Sequence, residues 1–60
     1  MSAKVIKNIV NPYETIATIG ETFRIINRYT SYGTKWIDLA NDRTRINIQA
    51  TEFNNYFKEV

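Results

Sequence analysis

The stretch FRIINRYTSYGTKWIDLANDRTRINI, residues 23–48, holds three short runs in which apolar and polar side chains alternate. Alternation with a period of two marks a strand with one face buried. The runs FRIIN, KWIDL and TRINI are divided by YTSYG and ANDR, both rich in turn-forming residues. Two antiparallel hairpins that share the middle strand follow. In the first, the pattern favours Phe23 opposite Leu39 and Ile25 opposite Ile37. All four then share one face, while Arg24 lies opposite Asp38 and Ile26 opposite Trp36 on the other. Moving the pairing by one residue would set Arg28 against Lys35 and Arg24 against Leu39, which is unfavourable on both counts. The preferred register leaves a loop from Tyr29 to Gly33, with Gly33 free to adopt a positive φ.

In the second hairpin, Asn41 and Asp42 suit the centre of the turn, since both tolerate left-handed backbone. Ile37 then faces Ile46, Leu39 faces Thr44 and Asp38 faces Arg45. Each hairpin independently puts Ile37 and Leu39 on the apolar side. We therefore expect a three-stranded antiparallel meander over residues 22–49, with Trp36 and Asp38 pointing away from its apolar face.

The flanks are read outward from this meander. KVIKNIV, Lys4–Val10, reads as a first strand that ends at Pro12, which cannot donate to a ladder and biases Asn11 toward extended geometry. NPYETIATIG carries helix signals, with Asn11 as cap, Pro12 at the first position and Gly20 as stop. Its many β-branched residues and short length oppose a helix, so an extended loop or strand turning at Gly20 is expected. In the tail, Phe53, Tyr56, Phe57 and Val60 fall at the spacing of an amphipathic helix, with Thr51 as cap and Glu52 in the first turn. Such a short helix should dock its aromatic stripe on the open end or face of the sheet.

Sixty residues allow one domain, spanning 1–60, with a thin stability margin. Nine isoleucines and seven threonines against four alanines lean the chain toward strand. With neither Cys nor His, disulfides are excluded and zinc loses its usual soft ligands. No apolar run is long enough to span a membrane, and MSAKVIKNIV lacks a signal-peptide core, so a soluble protein, cytoplasmic in a bacterial host, is expected. The net charge of +2 is uneven: residues 22–49 hold Arg24, Arg28, Lys35, Arg43 and Arg45 against Asp38 and Asp42.

The pattern NPY…GETFRII…WIDL…INI…EFNNYF resembles the small SH3-like proteins encoded by phages and prophages of Gram-positive bacteria. The resemblance covers most of the chain and rests on glycine, aromatic and aliphatic positions. It implies a mainly β fold: a small SH3-like barrel, an antiparallel arrangement of about four or five strands, with a short C-terminal α-helix. It carries no site residues, since folds of this kind host many functions.

Catalysis has little material to work with. There is no His or Cys to act as base or nucleophile, the acids are scattered, and two glycines make no phosphate cradle. No catalytic, cofactor or metal site is expected. Two kinds of binding remain. Ile26 and Trp36, side by side on the outer face and rimmed by Arg24 and Arg45, would make an apolar patch suited to a protein partner, such as a host protein that a phage-encoded regulator inhibits. A homodimer would cover the same patch. Alternatively, Arg24, Arg28, Trp36, Arg45 and Asn47, with Tyr29, Tyr32 and Lys35 in or beside the first loop, would meet phosphates and stack bases of a nucleic acid. The plainer reading is that the strand KVIKNIV crosses over and buries both Ile26 and Trp36, as barrel closure would require.

Overall fold

The computed structural model describes residues 1–60. Five strands form one antiparallel sheet in the order β6-β5-β4-β1-β7. They are β1 (Ser2–Val5), β4 (Thr22–Ser31), β5 (Thr34–Ala40), β6 (Arg45–Gln49) and β7 (Phe57–Glu59). A separate hairpin pairs β2 (Ile9–Val10) with β3 (Thr15–Ala17), and one helix, α1 (Ala50–Tyr56), links β6 to β7. The meander expected over residues 22–49 is present as β4-β5-β6. The expected barrel is not closed, because β6 and β7 are the two ends of the sheet and do not pair.

The registers differ from the expected ones. Between β4 and β5, Ile25 faces Leu39, and then Ile26 is bulged out, so that Asn27 faces Asp38, Arg28 faces Ile37 and Tyr29 faces Trp36. One extra residue in β4 reverses the alternation beyond it. The loop shrinks to Tyr32 and Gly33, whose φ values of 50° and 76° make a two-residue turn with both central residues left-handed. Between β5 and β6, Ile37 faces Ile48, Leu39 faces Ile46 and Asp38 faces Asn47. This is a slip of two residues from the expected pairing, and a slip of two keeps every side chain on its face. Asn41 sets the turn: its Oδ1 accepts from the backbone N–H groups of Arg43 and Thr44, both at 2.9 Å.

The N-terminal segment is two strands, not one. β1 stops at Val5, whose N–H donates to the Glu21 carbonyl at 2.9 Å and whose own carbonyl accepts from Gly20 at 3.0 Å. Gly20 makes that turn at a φ of 97°, where a side chain would be strained. Residues 11–20 hold no helix, in line with expectation: Thr15–Ala17 is strand, with bends at Pro12 and Tyr13 and a turn at Ile19 and Gly20. Asn11 Oδ1 accepts from the N–H groups of Tyr13 and Glu14, and that local turn folds β2 onto β3.

The tail also departs from expectation. α1 ends at Tyr56, and Gln49 rather than Thr51 stands at its N-cap, with no side-chain capping bond. Phe57 is already extended, with φ of −132° and ψ of 154°. The sheet captures the chain here: Ile6 N–H donates to the Tyr56 carbonyl at 2.7 Å, and Val60 N–H to the Ser2 carbonyl at 3.0 Å. Val60 is 70% exposed and takes no part in the core.

Every structural layer contributes to that core. It comprises Ala3, Val5, Ala17, Phe23, Ile37, Leu39, Ile46, Phe53 and Phe57, and no polar side chain is buried with them. Phe57 sits at its centre, stacked on Phe53 at 5.3 Å and edge-on to Phe23 at 5.7 Å. Such aromatic pairs contribute about 0.5–1.5 kcal/mol each beyond simple burial. The seven-residue helix is too short to persist alone, and Phe53 anchors it to the sheet.

Candidate interaction surface

The face of the meander turned away from the core is ordered in rows. Tyr29, Trp36 and Gln49 lie side by side across β4, β5 and β6. The next row is Asn27, Asp38 and Asn47, and the third is Arg24, Ala40 and Arg45. The Ile26–Trp36 pair expected from sequence does not exist. The bulge leaves Ile26 without a partner in β5 and 51% exposed, and Tyr29 takes its place beside the indole.

Asp38 organises the centre of this face. Its Oδ1 accepts from Asn47 Nδ2 at 2.8 Å and its Oδ2 from Arg45 Nη2 at 3.2 Å. These contacts hold its carboxyl below the ordinary value, the Asn47 bond most strongly, then Arg45, against partial burial that raises it. Asn47 Nδ2 also donates to the Tyr29 hydroxyl at 2.8 Å, which fixes that ring next to Trp36. Trp36 is half-buried. β1 does not cover it, because β1 pairs with β4 only from Thr22 to Arg24. At the tip, Tyr32 is fully exposed on its left-handed residue, and Lys35 stands next along the turn opposite Thr30.

The cations expected to act together are divided. Arg28 lies on the other face of the sheet, opposite Ile37, and forms an ion pair with Glu59 of β7. Arg45 is held by Asp38, and Arg43 by Glu21 at 2.9 Å. Of the five cations in residues 22–49, only Arg24 and Lys35 make no ion pair. A shallow groove of about 200 Å³ opens at the hairpin end of the sheet, where Arg28, Thr30, Lys35 and Ile37 of the core side meet Ala50 and the edges of Tyr29 and Trp36.

Glu21 was not singled out in the sequence, yet it is the most densely bonded side chain. Its carboxylate accepts from the N–H and hydroxyl of Thr18, from Arg43 and from Asn41. The same Arg43 Nη2 donates to the Ile16 carbonyl at 2.6 Å. The β2–β3 hairpin is thereby fastened to the turn between β5 and β6. Nothing in the sequence pairs Glu21 with Asn41 and Arg43, which lie 20 and 22 residues along the chain. No group of three or more acidic side chains in the fold could hold a metal ion. No family model, no curated protein and no solved structure matches the chain.

Proposed function

We propose that this chain is a non-enzymatic interaction module that binds a protein partner through the outer face of β4-β5-β6 and its hairpin tip. Tyr29, Tyr32 and Trp36 are the contacts, rimmed by Arg24, Arg45 and Asn47, with Lys35 on the core side of the hairpin tip. The observation that carries the reading is Tyr32. A fully exposed aromatic stands on a left-handed residue of a two-residue turn, where Asn or Gly is the favoured choice. An L side chain held there costs about 1 kcal/mol, and such strain gathers at functional positions. Tyr, Trp and Arg are also the residues enriched at interface hot spots.

The fold part of the proposal is an SH3-like module of the kind encoded by phages and prophages. It is supported by the order β6-β5-β4-β1-β7, by a long bulged strand shared between both halves of the sheet, and by a short helix before the last strand. Binding of nucleic acid is the weaker reading, because three of the arginines are neutralised by carboxylates. Affinity capture with the wild-type chain and with a folded Tyr32→Asn chain tests the proposal. A partner held by the first and lost by the second supports it, and equal retention by both removes the hairpin tip from the surface. A mass twice that of the chain by light scattering, lost on the same substitution, makes the partner a second copy.

A further inference from the structure

We infer that the free edge of β6 is a second interaction surface, which receives an extended strand of a partner protein. That strand carries apolar side chains at alternate positions and a carboxylate at its flank. The surface adjoins the outer face just described and shares Arg45 and Asn47 with it, through their backbone rather than their side chains.

The backbone carries the argument. Asn41 N–H donates to the Thr44 carbonyl at 3.0 Å, so this is a hydrogen-bonded pair of the β5–β6 ladder. Antiparallel ladders alternate, so Leu39–Ile46 and Ile37–Ile48 are bonded pairs as well. Arg45 and Asn47, which lie between them, turn their N–H and C=O groups away from β5. No backbone group meets them there. The opposite edge of the sheet is managed differently: β7 is three residues long and carries Lys58 and Glu59. Short, charged edges resist pairing. β6 has five residues and one charge, that of Arg45.

Beside this edge, a groove of about 320 Å³ separates β6 from the β2–β3 hairpin, lined mainly by Ile9, Ile16, Ile46, Ile48 and Tyr56. A strand added to β6 would bond to Arg45 and Asn47 and set alternate side chains into the groove, the usual division of labour in strand addition. A second copy of β6 fits poorly. Its Ile46 is buried in its own core and its Ile48 is packed against that core, so neither can fill the groove. The occupant must bring its own apolar side chains. Charge adds the flank. Lys7 Nζ lies 5.5 Å from the centre of the Tyr56 ring and makes no ion pair. At the β6 end Arg45 and Arg43 are paired with Asp38 and Glu21, and Asp42 lies in the same turn, so Lys7 is the free cation that a flanking carboxylate would meet.

The test is a titration of the ¹⁵N-labelled chain with a capped peptide in which valine and threonine alternate between terminal glutamates. Saturable shifts at Arg45–Ile48 and at Ile9 and Ile16 are expected, with amide exchange at Arg45 and Asn47 slowed at least about tenfold. The same peptide with a central proline should bind at least about tenfold more weakly, since it loses a donor. Ile9→Lys should weaken binding of the first peptide, and if that variant fails to fold, the proline peptide on the wild-type chain decides. Tyr32→Asn should leave peptide binding unchanged, which separates this surface from the outer face. No saturable shift up to about 1 mM peptide overturns the inference. So does peptide-free protection of Asn47 that grows with protein concentration, because a second copy would then hold the edge.

Discussion

Arg43 and Glu21 are 22 residues apart in the chain, and Arg43 Nη2 lies 2.9 Å from Glu21 Oε1. Through this pair the turn after β5 holds the β2–β3 hairpin, because the same guanidinium nitrogen reaches the Ile16 carbonyl. The Glu21 carboxyl is held down to about 2 from an ordinary 4.5, chiefly by the Thr18 N–H, with the Thr18 hydroxyl, Arg43 and Asn41 adding and burial opposing.

That shift has a direction in pH. Above about 4.5 Glu21 is ionised folded and unfolded, and its contribution to stability is complete. Below that, the unfolded chain takes up the proton first, while the folded chain resists until about pH 2. The contribution is therefore lost as pH falls from about 4.5 to about 2. Urea midpoints measured across that range should drop more steeply for the wild type than for Glu21→Gln. Parallel curves for the two chains would show that the latch does not couple to folding.

The core offers a contrast between two residues of one aromatic stripe. Phe57 is buried against both Phe23 and Phe53, whereas Val60 is exposed. Phe57→Ala should cost about 3–5 kcal/mol. A domain of 60 residues has a total of only about 3–9 kcal/mol, so the substitution should remove at least about a third of it and lower the urea midpoint in proportion. Val60→Ala should stay within about 0.5 kcal/mol of wild type. Circular dichroism with urea titration reads both, and a large loss at Val60 would restore the longer helix.

Tyr32→Asn should stabilise the chain. Asn tolerates the φ of 50° better than Tyr, and Asn-Gly is the preferred pair for this turn. A gain of about 0.5–1 kcal/mol is expected from thermal unfolding. Stability that rises while partner binding falls would mark Tyr32 as kept for contact. A loss of stability would mean that the ring packs against the sheet.

What the sequence made legible follows from parity. The β5–β6 register was off by two residues, which moves no side chain to the other face, so Ile37, Leu39 and Ile46 reach the core as expected. The bulge at Ile26 is a shift of one, and it moved Arg28 to one face and Tyr29 to the other. Nothing in INRYT announces it, since the extra residue is neither Gly nor Pro. Tyr32-Gly33 was hidden for a related reason, as Tyr is an unusual first residue for such a turn. The tail was ambiguous because Phe53 and Phe57 meet the same core from a helix or from a helix followed by a strand. Long-range bonds from Ile6 and Val60 decide that choice.

Asp38 gives the sharpest test between the two kinds of partner. It holds Arg45 at 3.2 Å, which leaves Arg24 and Lys35 as the cations of this region without an ion pair. Two phosphate contacts give a salt slope near −2 and weak affinity, so the wild type should bind generic duplex DNA no tighter than about 100 μM at physiological salt. Asp38→Asn keeps a hydrogen-bonding group at the centre of the face and releases the Arg45 guanidinium. The variant should bind DNA more tightly, and its slope against log salt should steepen by about one. Fluorescence anisotropy over a range of salt reads both quantities. A wild-type chain that already binds at micromolar concentration, with a slope of about −4 or steeper, would mean that the paired arginines let go of their carboxylates to meet phosphate, and the nucleic-acid reading would then displace the protein-binding one.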